Sequence, residues 1–479
     1  MSQYYPQDGI NTYINPISQD GVIIHAVNVV SNPYGGKSKR SGYSAFLGTP
    51  DVAEIKNLYA FPNIGNASGS INLIRASGSS LYYSLQGTGA WTLMGNGTIS
   101  DGAHFGAAIG NAGTVMIGGD GGGSTRHSTN GTSWTNTTGA PISDSWAQYH
   151  NRAYAGGTAS TLFYSTTNDV TNWNLSGTAD SSSLTVPGEG SNQSLFKSAD
   201  RLIITKTRGD MFNWDDYQLI DMATNYGPSS PYSIADVEDY RFWINQYGHF
   251  GFDGANAKLL SNAVQRYFYN RRDTGIVYTE FSKIPAVAHV YDYFASIGTV
   301  TDDFTGRTIS NAVLNYNYQK NEYLMWQLAH FPRAYLSYND YQGKRQLIFG
   351  DEDGQCYKME PTLTSDAGAP IPSELVIHFT LGTPDEKKWD WITLFFNPGC
   401  EINIQCAFSN TFTYEHLQWI DINDLSANPN QITDDGICEF RFPQDTRSRL
   451  MFLRLYENSD NSAWSYYGAD INAVPQPIR

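Results

Sequence analysis

Three stretches within the first 175 residues repeat one plan, and that repeat restricts the fold more than any other feature. Residues 71–94 run from the apolar stretch Ile71–Ile74 through a Gly-Ser turn to Leu81, Tyr82, Tyr83 and Ser84. A Gly-rich turn and Trp91 follow. Residues 114–135 repeat this with Val115, Met116 and Ile117, a glycine turn, then Ser128, Asn130, Gly131 and Trp134. Residues 152–175 do so again, from Arg152 to Gly157, then Phe163, Tyr164 and Ser165, a polar turn and Trp173. Each unit reads as strand, turn, strand, tight polar turn, and a strand led by Trp. The anchors Ser84, Ser128 and Ser165 lie 44 and 37 residues apart. A unit this small cannot bury an apolar face alone, so successive units must stack on one another.

Four-stranded units of roughly 40–50 residues are the period of β-propeller blades. Weaker copies follow. Arg201–Thr205 leads through Arg208, Gly209 and Asp210 into Met211–Trp214, and Tyr240–Ile244 turns at Tyr247-Gly248 into Phe250–Gly254. Glu322–Leu328 and Gln346–Gly350, the latter turning at Asp351–Gly354 into Cys356–Met359, complete the series. The expectation is an all-β chain with a propeller of six or seven blades over 55–365. Its anchors are Ser84, Trp91, Ser128, Asn130, Gly131, Trp134, Ser165, Trp173 and Trp214. Leu259, Leu260, Ala263, Val264, Tyr267 and Phe268 recur at helical spacing, which predicts one amphipathic helix over 255–271 inside an insertion near 255–310.

Composition agrees with the class. The 479 residues include 32 Tyr, 23 Phe, 11 Trp and 45 Gly, with only 16% charged. Aromatics suit a pleated, half-buried surface, and glycines supply the turns. The 46 acidic against 30 basic residues give a net charge of −16, which argues against non-specific nucleic-acid binding over most of the surface. No run of 18 apolar residues is present, and the start of the chain lacks the basic and apolar regions of a secretion signal.

Two boundaries stand out. The Pro-containing stretch Ala367–Ser373 marks the end of the repeat, and apolar strands at 376–379, 391–396, 402–408 and 450–456 predict a separate C-terminal β-sandwich over 373–479. Residues 1–54 carry strands that complete the propeller or touch neighbours, with a basic turn from Lys37 to Tyr43.

Candidate chemistry is sparse. Gly36-Lys37-Ser38 lacks the earlier glycine of a phosphate-binding loop, because Ser31 stands there, and no helix follows to hold phosphate. Ser128–Trp134 resembles the Asp-box turn of sialidases and related propellers, with Asn130 where Asp is usual; its role is to close a turn and pack a Trp. Asp351, Asp353, Asp215 and Asp216 are the carboxylates a glycosidase would need in facing pairs, yet all lie in apparent turns. Among the nine His no two are closer than 23 residues, and Cys356, Cys400, Cys406 and Cys438 form no Cys-x-x-Cys pair. No catalytic residue, metal or cofactor is assigned. Trp389, Trp391 and Trp464 are the aromatics on which a sugar could stack, with core packing the commoner role for Trp391.

Taken in order, the motifs resemble a known family. A basic turn before Gly42-Tyr43 precedes the blades carrying Tyr82–Ser84, Ser128–Trp134 and Tyr164–Trp173. Phe252-Asp253-Gly254 then leads into the expected helix, and the C-terminal part begins near Lys387-Lys388 and ends at Pro475–Arg479. This succession is similar to the tail hub or nozzle proteins of short-tailed bacteriophages, which include packaged-DNA stabilisation proteins. The resemblance implies a structural virion protein in a ring, usually of six copies, below the portal and its adaptor. Such a ring would meet tail fibre or tailspike and needle proteins, and viral double-stranded DNA would pass its lumen without sequence-specific binding.

Two other classes fit the same residues. One is a virion carbohydrate-binding protein or depolymerase; the other is a cellular propeller serving as a protein-binding platform.

Overall fold

The computed structural model describes residues 2–4, 10–11, 21–33, 35–49, 51–62, 71–85, 87–100, 104–106, 115–119, 122–143, 145–156, 159–174, 180–237, 240–268, 275–276, 278–302, 305–381, 383, 385–411, 414, 417–426, 431–458 and 463–476. Strands dominate these residues, joined by turns and three short 3-10 segments.

Seven four-stranded antiparallel units follow one another around a ring. Blades 1 to 5 cover residues 55–98, 104–136, 145–185, 192–221 and 235–259, and each is a sheet of four consecutive strands. Blade 6 spans 286–327. Blade 7 takes three strands from 334–359 and its fourth, Tyr43–Ala45, from near the start of the chain. A terminal strand pairing with the last blade closes the ring and removes the exposed edge that an open fan of sheets would present.

Apolar side chains fill every gap between neighbouring blades. Met116 and Trp134 of blade 2 meet Ile74 and Leu81 of blade 1, while Trp146 and Trp173 of blade 3 meet Ile117 of blade 2. Leu202 and Ile204 of blade 4 meet Tyr154 and Leu162 of blade 3, and Trp243 and Phe252 of blade 5 meet Ile203 of blade 4. Phe242 of blade 5 packs with Tyr293 and Leu314 of blade 6, Trp326 of blade 6 with Phe349 of blade 7, and Ile348 of blade 7 with Ile55 and Leu73 of blade 1. Seven cores for seven junctions define the closed propeller. Second strands such as Arg201–Lys206 are buried on both faces between two blades, so they read as continuous apolar runs.

The remaining strands form two facing sheets. One extends from the outer strand of blade 6 through Val22–Val27, Ser373–Phe379, Leu450–Glu457, Asn403–Ser409 and Trp419–Asn423. The other has the order Val29–Ser31, Lys37–Lys39, Ser465–Pro475, Lys387–Phe396, Ile437–Arg441, with Ser2–Tyr4 and Arg447–Ser448 alongside. Ile377, Ile404 and Leu453 of the first meet Ile392, Leu394 and Ile471 of the second in a core that continues into blades 5 and 6.

Several expectations need correction. Residues 255–271 form no amphipathic α-helix: Ala257–Leu259 is the fourth strand of blade 5, and Ser261–Tyr267 is a 3-10 segment kinked at Val264, with 269–271 outside the described residues. The apolar spacing there serves a strand on one side of a turn and a short cap on the other. The insertion near 255–310 is narrower than expected, since residues 286–301 and 308–317 are three strands of blade 6, which leaves 260–285 between blades 5 and 6. The junction at 366–373 is no loose linker. Ser365–Asp366 and Ala369–Pro370 form a hairpin beside Tyr43, and Ile371 is fully buried. The two-sheet unit is not confined to 373–479, because residues 2–39 supply four of its strands.

Candidate functional site

The sequence anchors sit at equivalent places. Ser84, Ser128 and Ser165 lie in or at the end of the third strands of blades 1, 2 and 3. Ser84 Oγ donates to the Gly89 carbonyl (2.7 Å), Ser128 Oγ accepts from the Gly131 amide (2.9 Å), and Ser165 Oγ accepts from the Ala153 amide (2.9 Å). Asn130 Oδ1 accepts from the amides of Thr132 (2.9 Å) and Ser133 (3.0 Å), as an Asp would in this turn. Gly131 has φ +68° and a Cβ there would lie 2.7 Å from Phe61, so both the backbone and the space require glycine. Trp91, Trp134, Trp173 and Trp214 each fill the core shared with the preceding blade. The repeated Trp is therefore the wedge between consecutive blades.

The strand Lys37–Lys39 replaces the expected basic turn, and its cations are buried. Lys37 pairs with Glu322 at the start of the outer strand of blade 6, and Lys39 Nζ lies 2.5 Å from Glu457. Arg40 binds Asp366 with both terminal nitrogens (2.5 and 2.8 Å). These partners stand 285, 418 and 326 residues away in sequence, which is why no local pattern pointed to them. Breaking such a pair leaves an uncompensated buried charge, so the three together fix one register of the N-terminal segment. Tyr43, beside Asp366, has its hydroxyl pushed up by burial first and then by that carboxylate.

The other candidates are placed as follows. Asp351 Oδ1 accepts from the amides of Asp353 (3.0 Å) and Gln355 (2.8 Å), capping a turn of blade 7. Asp215 does the same in blade 4 for Tyr217 (3.0 Å) and Gln218 (2.9 Å), and those amides hold its carboxyl below the usual range. Asp216 accepts from Tyr154 (2.5 Å) and meets His150 (2.6 Å). The two carboxylate pairs thus lie on blades that are not neighbours. Burial pushes Cys356, Cys400 and Cys406 up to about 12 and Cys438 up to about 11, so they are thiols at neutral pH. Among the described residues no group of three or more His, Cys, Asp or Glu is arranged to hold a metal, and no helix is long and apolar enough to cross a membrane.

The aromatics of the two-sheet unit are arranged opposite to expectation. Trp389 and Trp464 are 1% exposed and donate from Nε1 to Ser448 Oγ (2.8 Å) and Ser373 Oγ (2.9 Å); Trp391 is the partly exposed one. A β-bulge between Trp389 and Trp391 shifts the alternation by one residue, so Trp389 and Ile392 both face the core.

One concave surface of the molecule is the channel inside the ring of blades. At the starts of the inner strands lies a chamber of about 230 Å3 with Lys56, His104, Ser194, Tyr232 and Arg333 on its wall. It shares Phe105, Trp146, Leu195 and Tyr335 with a cavity of about 670 Å3 toward the strand ends, where Gln148, Lys197, Asp236, Ser337 and Arg345 lie. Tyr232 and His104 hydrogen-bond (2.6 Å) in the first chamber. Nothing in the repeat marked these residues, because the innermost strands vary from two residues at His104–Phe105 to eight at Ile55–Pro62 and carry no shared motif.

No family model and no curated protein matches the chain. Solved structures similar to it include YCF48 from Cyanidioschyzon merolae, at 10% identity over 67% of this chain and 99% of that one, with a TM-score of 0.43. Sqt1 of Saccharomyces cerevisiae has 10% identity over 67% and 99%, with a TM-score of 0.39. Raptor of Chaetomium thermophilum has 10% identity over 67% of this chain and 30% of that one, with a TM-score of 0.44. The propeller assignment rests on the ring of interblade cores within this chain.

Proposed function

We propose that the chain is a structural protein of a bacteriophage tail, a hub or nozzle subunit that assembles into a ring below the portal and its adaptor. The observation that carries this reading is the order of motifs along the sequence, from the Lys37–Arg40 segment through the Trp-wedged blades to the C-terminal strands. In this reading the two facing sheets are a β-sandwich built from both ends of the chain and fused to the propeller. That continuity supports a stiff wall element, since the sheet of blade 6 runs on into the sandwich. The net charge of −16 supports a surface past which DNA slides without being held. Identical subunits with head-to-tail contacts close into a ring when the rotation allows.

A non-catalytic role is supported by the use of Asp351 and Asp215 as turn caps and by the burial of Trp389 and Trp464. The experiment is electron microscopy and light scattering of the purified full chain, together with virions lacking it. Closed rings, and particles that fill with DNA but lose it or gain no tail, are the expected result. A monomer at every concentration, with mutant particles that keep DNA and complete tails, overturns the proposal.

A further inference from the structure

We infer that the channel inside the propeller is a binding site for an extended acidic peptide, anchored at its strand-end mouth by Lys197 and Arg345. The site lies within one subunit, so the inference is independent of any ring lumen between subunits.

Charge is the first argument. Lys197 and Arg345 are exposed and line one cavity of about 670 Å3, and neither has a carboxylate at ion-pair distance among the described residues. Asp236, the carboxylate on the same wall, is already paired with Arg241 at 2.6 Å. The Arg345 side chain is held in place: its Nε donates to Ser337 Oγ (3.2 Å), which also meets His289 Nδ1 (3.0 Å). Burial and the charge of Arg345 push His289 down to about 4, so the imidazole is neutral and adds no positive charge of its own. Uncompensated cations in a concave, low-dielectric wall focus a positive potential, and they do so here within a strongly acidic chain.

Strand edges are the second argument. Each innermost strand is hydrogen-bonded within its sheet along one edge only, as Ser145–Tyr149 is to Arg152–Gly156 and Ala286–His289 is to Asp292–Thr301. The second edge faces the channel. Such edges recognise an extended chain through its main-chain groups. The two chambers share wall residues, so the passage runs along the strands and suits a linear ligand.

Single-stranded nucleic acid is also a flexible anion, but it needs open aromatic faces on which bases stack. Here Trp146 is 7% exposed and packs edge-on against Trp173, and Phe105 packs against Tyr59 and Trp134. Those rings are occupied by the blade cores.

The test is fluorescence anisotropy of the full chain with a labelled peptide of alternating Glu and Thr. Its Gln counterpart and single-stranded oligo-dT serve as comparison probes. Saturable, salt-sensitive binding of the Glu peptide is expected, weakened about tenfold or more by Lys197→Glu or Arg345→Glu and unchanged by Arg447→Glu on the two-sheet unit. Lys197→Gln keeps the size of the side chain and is expected to give a smaller loss, with melting curves confirming that each variant is folded. Absence of saturable binding, or binding indifferent to both channel substitutions, overturns the inference. Tighter binding of oligo-dT, lost with the same substitutions, overturns it in favour of a nucleic-acid site.

Discussion

Blades 1 to 5 and the region made of blades 6 and 7 with the two facing sheets are assembled on different rules. In the first, every sheet is four consecutive strands, and each blade is closed within 44 residues or fewer. In the second, one sheet of ten strands collects residues from 22 to 457, and blade 7 waits for a strand from residues 43–45. Lys206 and the Lys37–Arg40 segment show the contrast in how a buried cation is met. Lys206 of blade 4 is satisfied by the carbonyls of Val186 (3.1 Å) and Gly190 (3.0 Å) and by Ser160 Oγ (3.0 Å), none more than 46 residues away in the chain. Lys37, Lys39 and Arg40 instead meet carboxylates from three distant parts of the chain. Local repeats specify themselves by packing, whereas these distant strands are tied by buried pairs, and removing one member of such a pair leaves an uncompensated charge.

The largest test of this contrast is removal of residues 1–46. It deletes the closing strand and strands Glu322, Glu457 and Asp366 without their cations. The shortened chain is expected to show no cooperative melt, and hydrogen exchange should find protection lost in blades 6 and 7 and the facing sheets before blades 2 to 4. Uniform loss across all blades would break the comparison.

Single substitutions sharpen it. Glu322→Ala removes the carboxylate that buried Lys37 meets and is expected to lower stability by about 3–5 kcal/mol in urea titration. Glu189→Ala, at the exposed pair with Arg208, should leave the midpoint where it is. Within the repetitive region Trp134→Ala should cost about 3–5 kcal/mol through the cavity between blades 1 and 2. Trp91→Ala and Trp173→Ala are expected to match it, and near-neutral melts for all three would refute the wedge role.

At the border between the regions, fully buried His249 stacks on Tyr293 and contacts Tyr323 OH (2.8 Å). Burial lowers it from 6.5 to about 3. The unfolded chain then binds the extra proton below pH 6.5, so this contribution is intact above that pH and is lost as pH falls toward 3. Between pH 6.5 and 4.5 the loss is about 2–3 kcal/mol, and His249→Phe should remove that slope from melts taken across the range. The smallest effect is expected at a turn: Asn130→Ala, which removes acceptors for two exposed amides, should cost about 1 kcal/mol, and Asn130→Asp should restore it.

The sequence by itself determined the class of fold and the wedges. Strand-length apolar runs, turn residues and a Trp in each of the first four units are local patterns, and local patterns are what a repeat of self-packing sheets requires. It left open whether there are six blades or seven and whether the N-terminal strands complete the propeller or touch neighbours, since the closing strand Tyr43–Ala45 lies about 300 residues from its partner Cys356–Met359. Nor did it determine that Lys37, Lys39 and Arg40 are buried, because a basic stretch is an exposed turn until distant carboxylates are brought against it. The bulge at Trp389 and the channel cations Lys197 and Arg345 belong to the same group. Their meaning depends on which strand edge and which cavity the closed ring places beside them, and only the tertiary structure decided that, because burial and charge pairing act between groups that the chain brings together last.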